Sequence, residues 1–382
     1  MLKEPIVYLD NNATTQLDKR VLLAMLPYFT EYYANVTSSH LFGLSVGEVV
    51  DFARQQVADL IGAKPREITF TSGASEAINL AIKGLIHHNN KHIITALTEH
   101  KAVLDTCAYM ELCGFEVTYM PVNKDGFINL EALEAAIRID TLLVCIMLAN
   151  NETGLLQPIK QISSLAHTKG ALFMTDATQA VGKLPIDVSE LGIDMMPLSA
   201  HKFYGPKGIG ALYVSSTAKI KLDSQIHGGG QERKMRSGTL NVPGIIGLGK
   251  ACEIASLEMQ GDNVRITALR NHIEYELLKI EDAFVNGNSE DRRLYNTTNI
   301  CFPEANSEKL ILGLQNIAVS SGSACSAITT EPSYVLKELG LTDADALSSI
   351  RFSLGKFTTE EEINIVIKKV TELVATLRQN NH

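Results

Sequence analysis

The chain is predicted to fold as an α/β protein: a mainly parallel sheet covered by helices on both faces, followed by a smaller α+β domain. Three observations carry this prediction. Strand-like and helix-like segments alternate through the first two thirds of the sequence, and the last third breaks that alternation. The bulk composition over 382 residues, 45% hydrophobic and 20% charged, is that of a globular protein able to bury a large core.

The elements follow in order. Ile68–Thr71, His92–Thr95, Leu142–Leu148, Leu172–Thr175, Met195–Leu198 and Ile209–Val214 are short apolar runs that read as buried strands. Ser75–Ile86, Ala102–Cys113, Leu130–Ile137 and Gln161–Lys169 read as the helices between them. Near residue 260 the pattern changes. Asp262–Ile280 is helical in pattern, and short strands follow near Asn299–Phe302 and Ile350–Ser353. The last helix has a capping box, Thr359 with Glu362, and one apolar face through Ile363, Val366, Ile367, Val370, Leu373, Val374 and Leu377.

The charge excludes some functions. A net charge of -9 without blocks of like charge disfavours nucleic acid or an anionic membrane as partner. Met1–Pro5 has no apolar signal region, and no apolar run reaches the length of a membrane span. The six cysteines, at 107, 113, 145, 252, 301 and 325, lack paired metal-ligand spacing, so no metal site is expected and a reducing cytoplasm fits them.

Chemistry gathers at the ends of the strand-like runs. Lys202 lies in Ser199-Ala200-His201-Lys202, between the run Met195–Leu198 and a Gly-Pro turn. An amine at the mouth of a sheet is placed to condense with an aldehyde, although a surface-loop lysine has the same local sequence. Asp176 ends the run Leu172–Thr175, with Gln179 three residues on. A lysine for an aldehyde and an acid for a ring nitrogen are the pair that pyridoxal phosphate requires. Thr71–Glu76, containing Ala74 and Ser75, joins a strand to a helix and could cradle a phosphate, or simply cap the helix on Ser72 or Ser75. His100 follows the run Ile93–Ala96, where it could stack on a ring or move protons, or cap a helix. Asn150 and Asn151 end another run and could bond a ligand or form a turn. Arg351 inside a strand-like run suits capture of a carboxylate or a structural ion pair. Ser320–Thr330 is nearly all small residues around Cys325, which reads as a reactive thiol on a mobile loop.

Five blocks, in order, carry a family resemblance: Thr175-Asp176-Ala177-Thr178-Gln179, Ser199-Ala200-His201-Lys202, His227-Gly228-Gly229-Gly230-Gln231-Glu232, Arg236-Ser237-Gly238-Thr239 and Ser321-Gly322-Ser323-Ala324-Cys325. With Tyr8–Thr15 at one end and Phe357–Glu362 at the other, the chain resembles the cysteine desulfurases of the NifS/IscS type. These belong to the class V aminotransferase group of fold-type-I pyridoxal-phosphate enzymes. The resemblance implies a large domain, residues 12–260, on a mainly parallel seven-stranded sheet, and a small α+β domain of residues 1–11 and 261–382. It implies conversion of L-cysteine to L-alanine, with sulfur passing to Cys325 as a persulfide and on to an acceptor protein, such as an iron–sulfur scaffold or a tRNA-thiolation carrier. Lys202 would hold the cofactor aldehyde, Asp176 the ring nitrogen and Gln179 the phenolic oxygen. His100 would stack on the ring and help move protons. Ala74, Ser75, Ser199 and His201 would hold the phosphate, with Thr239 reaching over from the partner of a homodimer. Asn151, Arg351 and Asn35 would meet the substrate, Asn151 also the cofactor, and Cys325 is a candidate transient iron–sulfur ligand. A selenocysteine lyase or another class V aminotransferase is the alternative. Lys234 stands where glycine is frequent in the family, Ser75 where threonine is common, and Ala34-Asn35-Val36 where Gly-Asn-Pro is usual. The sequence stops at His382, without the longer tail some relatives use to dock a scaffold.

Overall fold

The computed structural model describes residues 6–218, 220–287, 292–321 and 331–380. Twelve strands are present among them: β1 (Val7–Tyr8), β2 (Ile68–Thr71), β3 (His92–Ala96), β4 (Glu116–Met120), β5 (Thr141–Cys145), β6 (Leu172–Met174), β7 (Met195–Ser199), β8 (Gly210–Val214), β9 (Phe284–Val285), β10 (Thr297–Cys301), β11 (Ile317–Ala318) and β12 (Ser349–Ser353).

Seven of these form the main sheet, in the order β2-β8-β7-β6-β5-β3-β4. Only β8 runs against its neighbours. The expected mainly parallel sheet is therefore present, and β4, half-exposed at the edge, is the strand that sequence patterning missed. Alternate residues face opposite sides, as the two-residue period of a strand requires. Ile94, Val144, Phe173, Met196 and Ala211 enter one apolar core. Ile93, Leu143, Cys145, Met174, Met195 and Leu212 enter the other. Burial on both faces explains why these strands read as continuous apolar runs rather than alternating ones.

Because β2, β3, β4, β5, β6 and β7 run the same way, their carboxyl ends line one edge of the sheet. That edge is where ligands bind in open α/β sheets. The sequence run Leu142–Leu148 is a strand only to Cys145, but the Ile146 and Leu148 amides still donate to the carbonyls of Met174 and Asp176. This carries Asn150 and Asn151 over to the end of β6.

A second sheet, β12-β10-β9, is antiparallel, and β1 pairs with β11. Its core, around Leu9, Ile300, Phe302, Ile350, Phe352, Ile363, Val366 and Val370, is separate from the two cores of the main sheet. The final helix runs Glu360–Gln379 with the expected Thr359–Glu362 capping box. Helix Val242–Leu277 begins well before Asp262 and crosses residue 260 without interruption. Its glycine-rich first turns hid it from apolar periodicity. Those glycines are packing contacts: a Cβ on Gly247 would meet Met25 and Pro206, and one on Gly249 would meet Ala53 of helix Leu41–Ile61.

Candidate active site

Residues 10–15 cross the carboxyl edge of the main sheet as a strap and organise what lies beneath. Lys202 Nζ donates to the carbonyls of Asn12 (2.7 Å) and Ala13 (2.9 Å). Gln179 Nε2 donates to the same Asn12 carbonyl at 2.9 Å. The loop bearing Lys202 is pinned to the strap on both sides, since Thr15 binds the His201 carbonyl and its hydroxyl accepts from the Tyr204 amide. His201 Nδ1 lies 3.1 Å from the Thr14 hydroxyl. Burial first, then Lys202, Lys207 and Lys183, lowers the His201 pKa to about 4, so the ring is neutral there.

Asp176 sits buried at the end of β6, one oxygen accepting from the Thr178 amide. His100 faces both Asp176 and Lys202 electrostatically. Burial lowers its pKa, Asp176 opposes that, and Lys202 adds to it. Its Nδ1 accepts from the Ala102 amide at 3.0 Å, so the helix-capping role and the position beside Asp176 coexist in one ring. Glu99, the preceding residue and fully buried, takes the Met147 amide on one oxygen while burial pushes its pKa well above the carboxylate range.

Helix Ala74–Lys83 starts from Gly73, which supplies no side-chain cap, so neither Ser72 nor Ser75 caps it as the sequence suggested. Its first amides are left for another acceptor. The approach is tight: a Cβ at Gly210 would press on Gly73 Cα at 2.7 Å, and one at Gly73 would lie 3.5 Å from the Ser199 hydroxyl. The start of this helix at Gly73 therefore lies against Ser199 and Gly210. Glu76 ties it to the segment leading to Thr239, because Arg236 Nε donates to Glu76 at 2.9 Å.

Asn151 and Arg351 also come together. Arg351 Nη1 donates to the Asn151 carbonyl at 2.9 Å, and Nη2 meets Asp10 at 2.7 Å. Asn150 makes the turn, accepting from the Glu152 and Thr153 amides. Asn151 Oδ1 is buried without a protein partner. Asn35 and Thr239 lie elsewhere, in an open cleft of about 270 Å³ with Tyr28, Tyr33 and Val242. There Asn35 Oδ1 accepts from the Thr37 amide and hydroxyl.

Cys325 lies outside the described residues. The buried thiols of Cys107, Cys145, Cys252 and Cys301 are all pushed up by burial, Cys107 and Cys301 to about 12, so none is a ready nucleophile. Sequence reasoning missed Asn12, Asp10 and Lys183. Asn12 and Asp10 were visible only as a short polar stretch, and Lys183 only as a lysine four residues after Gln179.

Residues 7–366 match the class-V aminotransferases, and the chain belongs to that family. The chain is 51% identical to "Cysteine desulfurase IscS" of Klebsiella pneumoniae, over 99% of this chain and 95% of that relative. The solved structure of a "NIFS-like protein" matches with a TM-score of 0.91 at 38% identity, covering 97% of this chain and 100% of the other. "SspA in complex with cysteine" matches with a TM-score of 0.81 at 39% identity, covering 92% and 100%. Within the family the chain groups with the pyridoxal-phosphate-dependent cysteine desulfurases, and cysteine desulfuration is its activity.

Proposed function

We propose that this chain carries pyridoxal phosphate on Lys202 and passes the sulfur of L-cysteine to Cys325, and from there to an acceptor protein. The observation that carries the reading is the convergence of Lys202, Gln179 and the buried Asp176 at the edge of the sheet where His100, Asn151 and Arg351 also end. The residues fit the cofactor. An uncapped helix start beside Ser199 suits a phosphate, a buried carboxylate suits a ring nitrogen, and the orphaned oxygens Asn151 Oδ1 and Thr178 Oγ1 await partners. When bound, pyridoxal phosphate supplies an aldehyde that takes up an amino group and a ring that accepts the electron pair left when the α-proton departs.

The chain's own residues do the rest. Arg351 and Asn151 hold the substrate carboxylate, with Asp10 orienting the guanidinium from its other side. Lys202 Nζ and the neutral His100 ring move the α-proton. Asp176 would face the ring nitrogen and favour its protonated form. The Cys325 thiolate attacks the substrate sulfur: an S–S bond forms, the Cβ–S bond breaks, and its electron pair stays with the carbon fragment that is released as alanine.

The division into a large domain (12–260) and a small one (1–11 and 261–382) belongs to this proposal, supported by the separate core around Phe302 and Phe352. So does a homodimer. The exposed Leu23, Phe29, Tyr33, Leu41 and Phe52 support it, Tyr33 among them lining the Asn35–Thr239 cleft, and Thr239 there would serve the partner's phosphate. The acceptor is proposed as an iron–sulfur scaffold or a tRNA-thiolation carrier, in a cytoplasm that keeps thiols reduced. Among the described residues no helix is long and apolar enough to cross a membrane.

The test is Cys325→Ala, incubated with L-cysteine and reductant. The variant is expected to keep the cofactor's visible colour and lose sulfide release at least about 100-fold. Near-native release would remove Cys325 from the reaction.

A further inference from the structure

Lys183 is a buried lysine that the reaction above does not use. It is 3% exposed, and its Nζ donates to Gln179 Oε1 at 2.9 Å. The amides of Ala180 and Val181 donate to Ala177, and those of Lys183 and Leu184 to Ala180, so residues 177–184 form short helical turns. Across these turns Lys183 reaches back to Gln179. Gly182 in the same turn, at φ +77°, leaves room for Phe203, whose Cβ would be 2.6 Å from a side chain there. The turn thus packs directly against the residue after Lys202.

Burying an amine in this place is costly, and the surroundings add to the cost. Burial, then the positive Lys202 and Arg351, lowers the Lys183 pKa to about 7. A carboxamide has two ends of nearly equal shape, one accepting and one donating. With Lys183 on Oε1, the donating end must face the strap, where Nε2 meets the Asn12 carbonyl that Lys202 also uses.

We infer that Lys183 is a positioning residue: it fixes the orientation of the Gln179 carboxamide so that Nε2 presents a donor to the Lys202 pocket. The effect on the cofactor rests on the function proposed above; the Lys183–Gln179 linkage does not.

The test is a double-mutant cycle of Lys183→Met and Gln179→Ala with two readouts. The first is the equilibrium uptake of pyridoxal phosphate and the position of its visible band. Lys183→Met keeps the unbranched volume and removes a buried charge, so the Tm of the cofactor-free protein is expected to hold or rise. Uptake is expected to weaken about tenfold with a displaced band. The same change made in the Gln179→Ala background is expected to do nothing further. An unchanged affinity and band, an equal loss in both backgrounds, or a loss accompanied by a fall in Tm would overturn the assignment.

The second readout is the Tm of the cofactor-free variants. Gln179→Ala strands the Lys183 amine and is expected to lower Tm in the native background but not in the Lys183→Met background. Equal effects in both would overturn the linkage. If the unmodified chain takes up no pyridoxal phosphate, the proposed function fails, and this Tm cycle still decides the role of Lys183.

Discussion

Lys234 has its backbone in the left-handed region, at φ +66°, and follows Glu232 and Arg233 at +45° and +55°. Side-chain-bearing residues pay about 1–2 kcal/mol there, whereas glycine does not. The backbone at this position suits glycine, and it makes lysine a local liability. Lys234→Gly is expected to stabilise the protein by about 0.5–1 kcal/mol, the relief being partly offset by glycine's greater freedom when unfolded. Thermal unfolding would read this as a higher Tm, and a lower Tm would mean that the lysine side chain makes a compensating contact. At this scale the sequence showed residue types well and contacts poorly. Lys202, Asp176, Gln179 and His100 stood at the ends of apolar runs, which is why they could be found. Lys183 and Asn12 act through partners 4 and 190 residues away, Gln179 and Lys202, and no local pattern announces the longer of these links.

At the scale of elements, three neighbouring pieces are clamped together by one ion pair. Arg54, on helix Leu41–Ile61, holds Glu232 through two 2.7 Å hydrogen bonds, and Glu232 also accepts from the Phe70 amide in β2 at 2.8 Å. The left-handed turn at 232–234 is thereby fixed to the sheet, and the Arg236–Thr239 segment starts from it. Arg54→Met would leave the Glu232 carboxylate buried with only backbone donation, a change expected to cost about 3 kcal/mol. Chemical denaturation would measure it, and a loss below about 1 kcal/mol would show that the clamp is dispensable. Strands buried on both faces were legible because they are short, apolar and bounded by turn residues. Edge strand β4 was not, because half-exposure breaks its apolar run. The first half of helix Val242–Leu277 was hidden for a different reason: its glycines permit close approach to Ala53 and Met25 and lower its helix propensity.

Over the whole molecule, six parallel strands deliver their carboxyl ends to one edge, and the strap at residues 10–15 closes over it from the second sheet. Asp10 bridges to Ser353, and the Asn11 amide donates to the Ser353 carbonyl. The strap therefore joins the strand bearing Arg351 to the loop bearing Lys202, so the proposed substrate-binding arginine and the proposed cofactor lysine are placed by one continuous set of backbone bonds. That arrangement makes a single lysine the centre of the account. The most direct check is to load the protein with pyridoxal phosphate, reduce it with borohydride, digest it and find the modified peptide by mass spectrometry. The pyridoxyl mass is expected on Lys202 alone and absent from Lys202→Ala; a stoichiometric adduct on Lys183 or any other lysine would contradict it.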